Sequence, residues 1–164
     1  MRIIGIDPGL QNTGWGIIDM NGSSLTFVAT GLVKTSPADD FAQRLARIDH
    51  ELAKAIDEFA PVSSAIEETF VNKNPNSTLK LGMARGAAIT SLARAGIPVA
   101  EYAARFVKKA IVGTGGADKT QMGMMINHLL RIKQKINADQ ADALAVAICH
   151  ANYSARPSLE ENVS

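Results

Sequence analysis

Residues 2–18 read RIIGIDPGLQNTGWGII, and this stretch decides the fold. The apolar run Arg2–Asp7 ends in an acid, and Pro8-Gly9 cuts it off immediately behind. A second apolar run, Gly14–Asp19, follows, so the pattern is two short buried strands joined by a stiff turn. A carboxylate at such a strand tip is dehydrated on one side and fixed in direction, which suits chemistry better than solubility. Working outward, Leu25–Lys34 follows the turn signal Asn21-Gly22 and predicts a third strand in an antiparallel meander. Asp39 and Asp40 open a helix whose apolar positions Phe41, Leu45, Ile48, Leu52, Ile56 and Phe59 recur in steps of three and four, and Pro61 closes it.

A fourth strand, Val62–Glu67, ends in AIEETF. The polar loop 69–76 is interrupted by Pro75, and Ser77 or Thr78 is expected to cap a helix running to about Arg94. That helix is rich in Gly82, Ala84, Gly86, Ala87 and Ala88, small residues that let another backbone come close, either a second copy or its own sheet. A short strand near Pro98–Glu101, a basic helix and the glycine-rich VGTGGADK come next. Helices over Lys119–Leu130 and Ala138–Tyr153 complete the pattern. Three strands before the first helix, then alternation, predict an α/β fold with a mixed five-stranded sheet flanked by helices. Residues 1–154 are expected to form one domain and 155–164 a flexible tail.

With 46% apolar and 20% charged residues, the composition is that of an ordinary globular protein. No apolar stretch approaches the roughly 18 residues that a membrane span needs, and the start lacks the layout of a signal peptide. The single Cys149 cannot form an internal disulfide, so the cytoplasm is the expected compartment. The net charge of +1 hides an asymmetry: between Thr69 and Lys135 stand eleven Lys/Arg and two acids, Glu101 and Asp118. That stretch carries +9 and the remainder −8, which points to a basic surface for a polyanion beside a separate cluster of acids.

The acids fall at telling places. Asp139 and Asp142, in ADQADALAVAICH, are three apart and share one helix face, with Ala141, Leu144, Ala145 and Ile148 leaning on the core behind them. Capping accounts for one aspartate near a helix start but poorly for two. If the strands bearing Asp7 and Glu67 or Glu68 are neighbours and this helix crosses their ends, four carboxylates converge. Such a group repels itself unless a cation is present, and hard oxygen donors select Mg²⁺, with Mn²⁺ as a substitute. His50, His128 and His150 show no zinc-ligand spacing with Cys149. Two divalent ions about 4 Å apart would activate water and stabilise the leaving oxygen of a phosphodiester.

IIGIDPGLQNTGWGII, AIEETFVNKNPNSTLKLGMARG, VKKAIVGTGGADKTQ and ADQADALAVAICH, taken together and in this order, resemble the RuvC family of bacterial Holliday junction resolvases over residues 1–154. The resemblance implies an RNase H-like fold. It also implies a homodimer that cuts four-way DNA junctions by paired, Mg²⁺-dependent nicks in recombination and repair, leaving 5′-phosphate and 3′-hydroxyl ends, in cooperation with the RuvA and RuvB branch-migration proteins. The family's catalytic, metal-binding quartet falls on Asp7, Glu67, Asp139 and Asp142, selecting Glu67 over Glu68. Phe70 matches an aromatic at the junction, where it would stack on an unpaired base, although a place in the core fits it equally. Lys108 and Lys119 match basic positions near the cleaved strand. Lys73, Lys80 and Arg85 are further DNA-binding candidates in the basic stretch, and the small-residue helix resembles the family's dimer helix.

Rival readings are weaker. GIDPG resembles the phosphate loop of actin-type and Hsp70-type ATPases, but those need two such domains and give Asp139 and Asp142 no part. GTGGADKT resembles a P-loop superficially, yet Asp118 stands where glycine must precede the lysine and would repel phosphate. Alternatives on the same fold are an RNase H-type or YqgF-like nuclease acting on RNA. A non-catalytic junction-binding module would leave the four acids unexplained.

Overall fold

The computed structural model describes residues 1–69, 74–113 and 118–154, excluding the side chain of Lys119. Five strands, β1 (Arg2–Asp7), β2 (Asn12–Asn21), β3 (Ser24–Lys34), β4 (Ser63–Glu67) and β5 (Val99–Tyr102), form one sheet in the order β3-β2-β1-β4-β5. The first three make the predicted antiparallel meander, while β4 runs parallel to both β1 and β5, giving the expected mixed sheet. Gly22 supplies the left-handed backbone (φ 59°) that the β2–β3 turn requires. At the same end of the sheet Arg2 pairs with its register partner Asp19 (2.8 and 2.9 Å) and donates to the Phe59 carbonyl (2.9 Å), tying β1 to its neighbour and to the following helix.

That helix, α1 (Phe41–Phe59), is capped by Asp40, whose side chain accepts from the Ala42 and Gln43 amides. Its Ile48, Leu52 and Ile56 are buried as the spacing predicted. The second helix, α2 (Pro75–Arg94), starts earlier than expected: Asn74 is the cap, not Ser77 or Thr78, and Pro75 is the first helical residue. Proline is favoured there because its missing N–H has no partner to lose. Ala84 and Ala88 are the small residues buried on the inner side of α2, while Gly82 and Gly86 look into open space beside exposed Leu79 and Met83. Helices α3 (Ala104–Val112), α4 (Lys119–Leu130) and α5 (Ala138–Ser154) follow.

The sheet separates two cores. Ile4, Ile6, Ile17 and Ile66 point to α1 and α2, whereas Ile3, Ile18 and Ala65 point to α3, α4 and α5. Helix α5 lies directly on β1 and β2 and is buried almost all round, from Ala141 to Ala151. A helix walled in on all sides shows no apolar stripe, which explains its near-continuous apolar sequence. Cys149 lies within it, fully buried, its thiol pushed up to about 12 by desolvation, so it is the small hydrophobe that its surroundings demand.

Candidate active site

Helix α5 can lie so close to the sheet because three strand positions lack side chains on that face. Gly5 pairs with Gly16 and Asp7 pairs with Gly14 across β1 and β2. A Cβ on Gly16 would stand 2.6 Å from Leu144 Cδ2, one on Gly5 2.5 Å from the Ala147 nitrogen, and one on Gly14 would strike the Asp139 carbonyl. Gly14 therefore sets Asp139 beside the strand pair that carries Asp7. These glycines form a groove that the sequence reading missed; their spacing of two from Asp7 and from one another was the available signal.

Side-chain alternation then decides which glutamate joins them. Ala65 belongs to the α5 side and Ile66 to the α1 side, so Glu67 faces α5 and Glu68 does not follow it there. One cavity of about 300 Å³ is lined by Asp7, Glu67, Asp139 and Asp142, together with Lys108 and Val107 from α3 and Met122 from α4. All four acids are partly exposed. An adjoining depression of about 260 Å³ shares Asp7 and Glu67 and continues over Thr69 to Ser77 and Thr78 at the start of α2. Neither aspartate of α5 is used as its cap. Asn137 fills that role, accepting from the Gln140 amide (2.9 Å) while its own amide donates to Gln140 Oε1 (3.0 Å). The reciprocal pair leaves Asp139 and Asp142 to face the cavity, near the positive end of the helix.

Among the described residues, no three His, Cys, Asp or Glu side chains are gathered closely enough to hold a metal ion unaided; the four carboxylates border an open cavity. The donor set nevertheless fits a hard divalent cation: all oxygen, all anionic in type, and with room for water and phosphate oxygens in the remaining positions. Lys108 sits at the same cavity, half-exposed, where an ammonium can meet a phosphate. Lys80 is exposed on α2 and lines neither depression. Arg85 is turned to the strand end, donating from Nε to the Glu67 carbonyl (3.2 Å) and from Nη2 to Glu101. Phe70 and Lys73 lie outside the described residues, as does the Lys119 side chain; the backbone of Lys119 opens α4, capped by a reciprocal Asp118–Gln121 pair. Farther along α5, His150 joins Ser63 Oγ (Nε2, 2.8 Å) to Tyr102 Oη (Nδ1, 2.9 Å), and burial holds its pKa below the ordinary value.

With this geometry in place, the model of the family described as crossover junction endodeoxyribonuclease RuvC matches residues 3–150. The chain belongs to the RuvC family. The family's protein from Methylocella silvestris is 50% identical over 164 residues, covering 100% of this chain and 93% of its own. That of Rhodospirillum rubrum is 52% identical over 155 residues, covering 94% and 92%. The structure of Thermus thermophilus RuvC in complex with Holliday junction substrate superposes with a TM-score of 0.89 at 33% identity, covering 94% of this chain and 95% of that one. The sheet and helices described above are therefore an RNase H-like α/β fold. No helix among the described residues is long and apolar enough to cross a membrane.

Proposed function

We infer that the chain is a crossover junction endodeoxyribonuclease that resolves Holliday junctions by paired nicks in recombination and repair. The observation that carries this reading is one cavity lined by Asp7, Glu67, Asp139 and Asp142, in a chain of the RuvC family. The four carboxylates would hold two Mg²⁺ ions, which Mn²⁺ can replace. When bound, such ions supply an activated water and stabilise the departing 3′ oxygen, leaving 5′-phosphate and 3′-hydroxyl ends. The protein's own part is to fix the carboxylates on a strand pair and a helix start, and to offset the phosphate charge with Lys108. Phe70, Lys73, Lys80, Lys108 and Lys119 are the proposed DNA contacts, Phe70 by stacking on a base. Arg85, engaged by Glu67 and Glu101, is left out of that set.

Residues 1–154 act as one nuclease domain; residues 155–164, expected to be a tail, lie outside the described residues. Two copies act together in the cytoplasm with RuvA and RuvB; a junction needs two symmetric nicks, and exposed Leu79 and Met83 with the open glycines of α2 offer a contact face for the second copy. The test presents a synthetic four-way junction, plain duplex and an RNA–DNA hybrid with Mg²⁺. Symmetric cutting of the junction alone is expected; equal cutting of the hybrid would favour the RNA-directed alternative, and binding without cutting the non-catalytic one.

A further inference from the structure

We propose that Arg85 and Glu101 form a clamp that positions Glu67. The proposal rests on Glu67 being a metal ligand. Glu67 is the last residue of β4, and the β1–β4 ladder stops one pair earlier, at Ile6 and Ile66. On the other side it pairs with Tyr102, and the Glu68 amide donates to the Tyr102 carbonyl (2.9 Å). The Glu67 carbonyl is taken by Arg85 Nε (3.2 Å), reaching across from α2. The same guanidinium is paired through Nη2 with the Glu101 carboxylate on β5.

An isolated surface ion pair contributes little. Here the Arg85 side chain is only 19% exposed, and its planar fork is held at two points, so it cannot swing without releasing the strand end. Three elements, α2, β4 and β5, thus meet at the backbone of one carboxylate-bearing residue. The clamp also accounts for Glu101. It is one of two acids in a stretch that is otherwise basic, and beside a DNA groove a free carboxylate would repel phosphate. Paired with Arg85, it cancels the charge that Arg85 brings to the strand end. Arg85 is therefore a positioning residue, not a phosphate contact.

The test uses the full chain with R85Q, R85K, E101Q, the double variant R85Q/E101Q and E67Q. Junction affinity is measured in EDTA, and cleavage as a function of Mg²⁺ concentration. Loss of a group that orients a metal ligand weakens metal affinity 10–100-fold, so R85Q, R85K and E101Q should each raise the half-saturating Mg²⁺ concentration by roughly tenfold. The double variant should be no worse than the poorer single one, since both remove the same clamp. Affinity in EDTA should stay within about twofold, because no phosphate contact is lost. A large loss of EDTA affinity in R85Q, with an unchanged Mg²⁺ requirement in E101Q, would overturn the clamp and make Arg85 a DNA contact. If E67Q cleaves with the parent's Mg²⁺ requirement, the ligand reading itself falls. If E67Q is inactive while R85Q and E101Q keep the parent's requirement, only the clamp falls.

Discussion

The two faces of the sheet use opposite packing strategies. Toward α1 and α2, the strands present Ile4, Ile6, Ile17 and Ile66, bulky side chains that interlock with Ile48, Leu52 and Leu92. Toward α5, the same strands present Gly5, Gly14 and Gly16, and the helix answers with Ala143 and Ala147. A face of branched side chains keeps a helix at a distance and absorbs small changes by repacking. A face of glycines brings the helix backbone onto the strand backbone, where nothing can give. Such rigidity is a cost where only stability matters. It is an asset where two aspartates at a helix start must keep a fixed relation to carboxylates on strand ends.

The largest effect that this contrast predicts comes from the carboxylates themselves. Asp7→Asn should abolish junction cleavage while leaving junction binding in EDTA intact. Metal stabilisation of the developing charge is worth several kcal/mol, so the expected loss is on the order of 10³-fold or more. Quantitative single-turnover cleavage checks this, and retained turnover would remove Asp7 from the site. Next comes Gly14→Ala, which places a Cβ against the Asp139 carbonyl. A displacement of about 1 Å in a catalytic arrangement can cost about 10²-fold, and that is the expected loss of cleavage rate. Its partner control is Ile17→Val on the other face of the same strand. That change should cost about 0.5–1.5 kcal/mol of stability by denaturant unfolding and leave the cleavage rate unaltered. Equal effects on cleavage from both would dissolve the contrast between the faces.

How much of this could be read from the sequence depended on whether a residue's meaning was local. Asp7 was legible because Pro8-Gly9 ends its strand in sequence as well as in space. The spacing of Asp139 and Asp142 gave their shared helix face, and the stripe of α1 gave Ile48, Leu52 and Ile56 of its buried residues. Glu67 and Glu68 were not separable by pattern, since the choice depends on which side of the sheet Ala65 occupies. The glycine groove was hidden for a related reason. A strand glycine taken alone is a weak point, and its purpose appears only when the helix 130 or so residues later is laid against it. One cap was misassigned: Asn74 prevailed over Ser77 and Thr78 because Pro75 starts the helix. The α5 cap, Asn137, was not weighed in the sequence at all, and it serves because Gln140 completes a reciprocal pair.

That second cap supplies a smaller test. Asn137→Ala should cost about 1 kcal/mol, the usual value of a helix cap. Because the fraying end carries Asp139, the half-saturating Mg²⁺ concentration for cleavage should rise as well. Asp40→Ala removes the cap of α1 on the opposite side of the sheet and should cost a similar amount without changing the Mg²⁺ requirement. Should the two variants behave alike toward Mg²⁺, capping would be a matter of stability only.

The smallest effect concerns pH, and it too divides the faces. The α1 side buries Arg44, bonded to Thr35 Oγ1 (2.9 Å) and the Leu10 carbonyl (3.3 Å). The α5 side holds His150, with its pKa depressed by burial between Ser63 and Tyr102. A neutral imidazole satisfies both neighbours, one ring nitrogen donating and the other accepting. In the unfolded chain the same group takes up a proton below its ordinary value of 6.5. The unfolded state therefore binds more protons as pH falls through that value, and stability declines until the folded pKa is passed. The melting temperature should fall between pH 7 and the folded pKa of His150, measured by circular dichroism at constant ionic strength. His150→Gln should flatten that decline. An unchanged slope in the His150 variant would mean that the α5 face carries no titrating contribution of its own, and the two faces would then differ in packing alone.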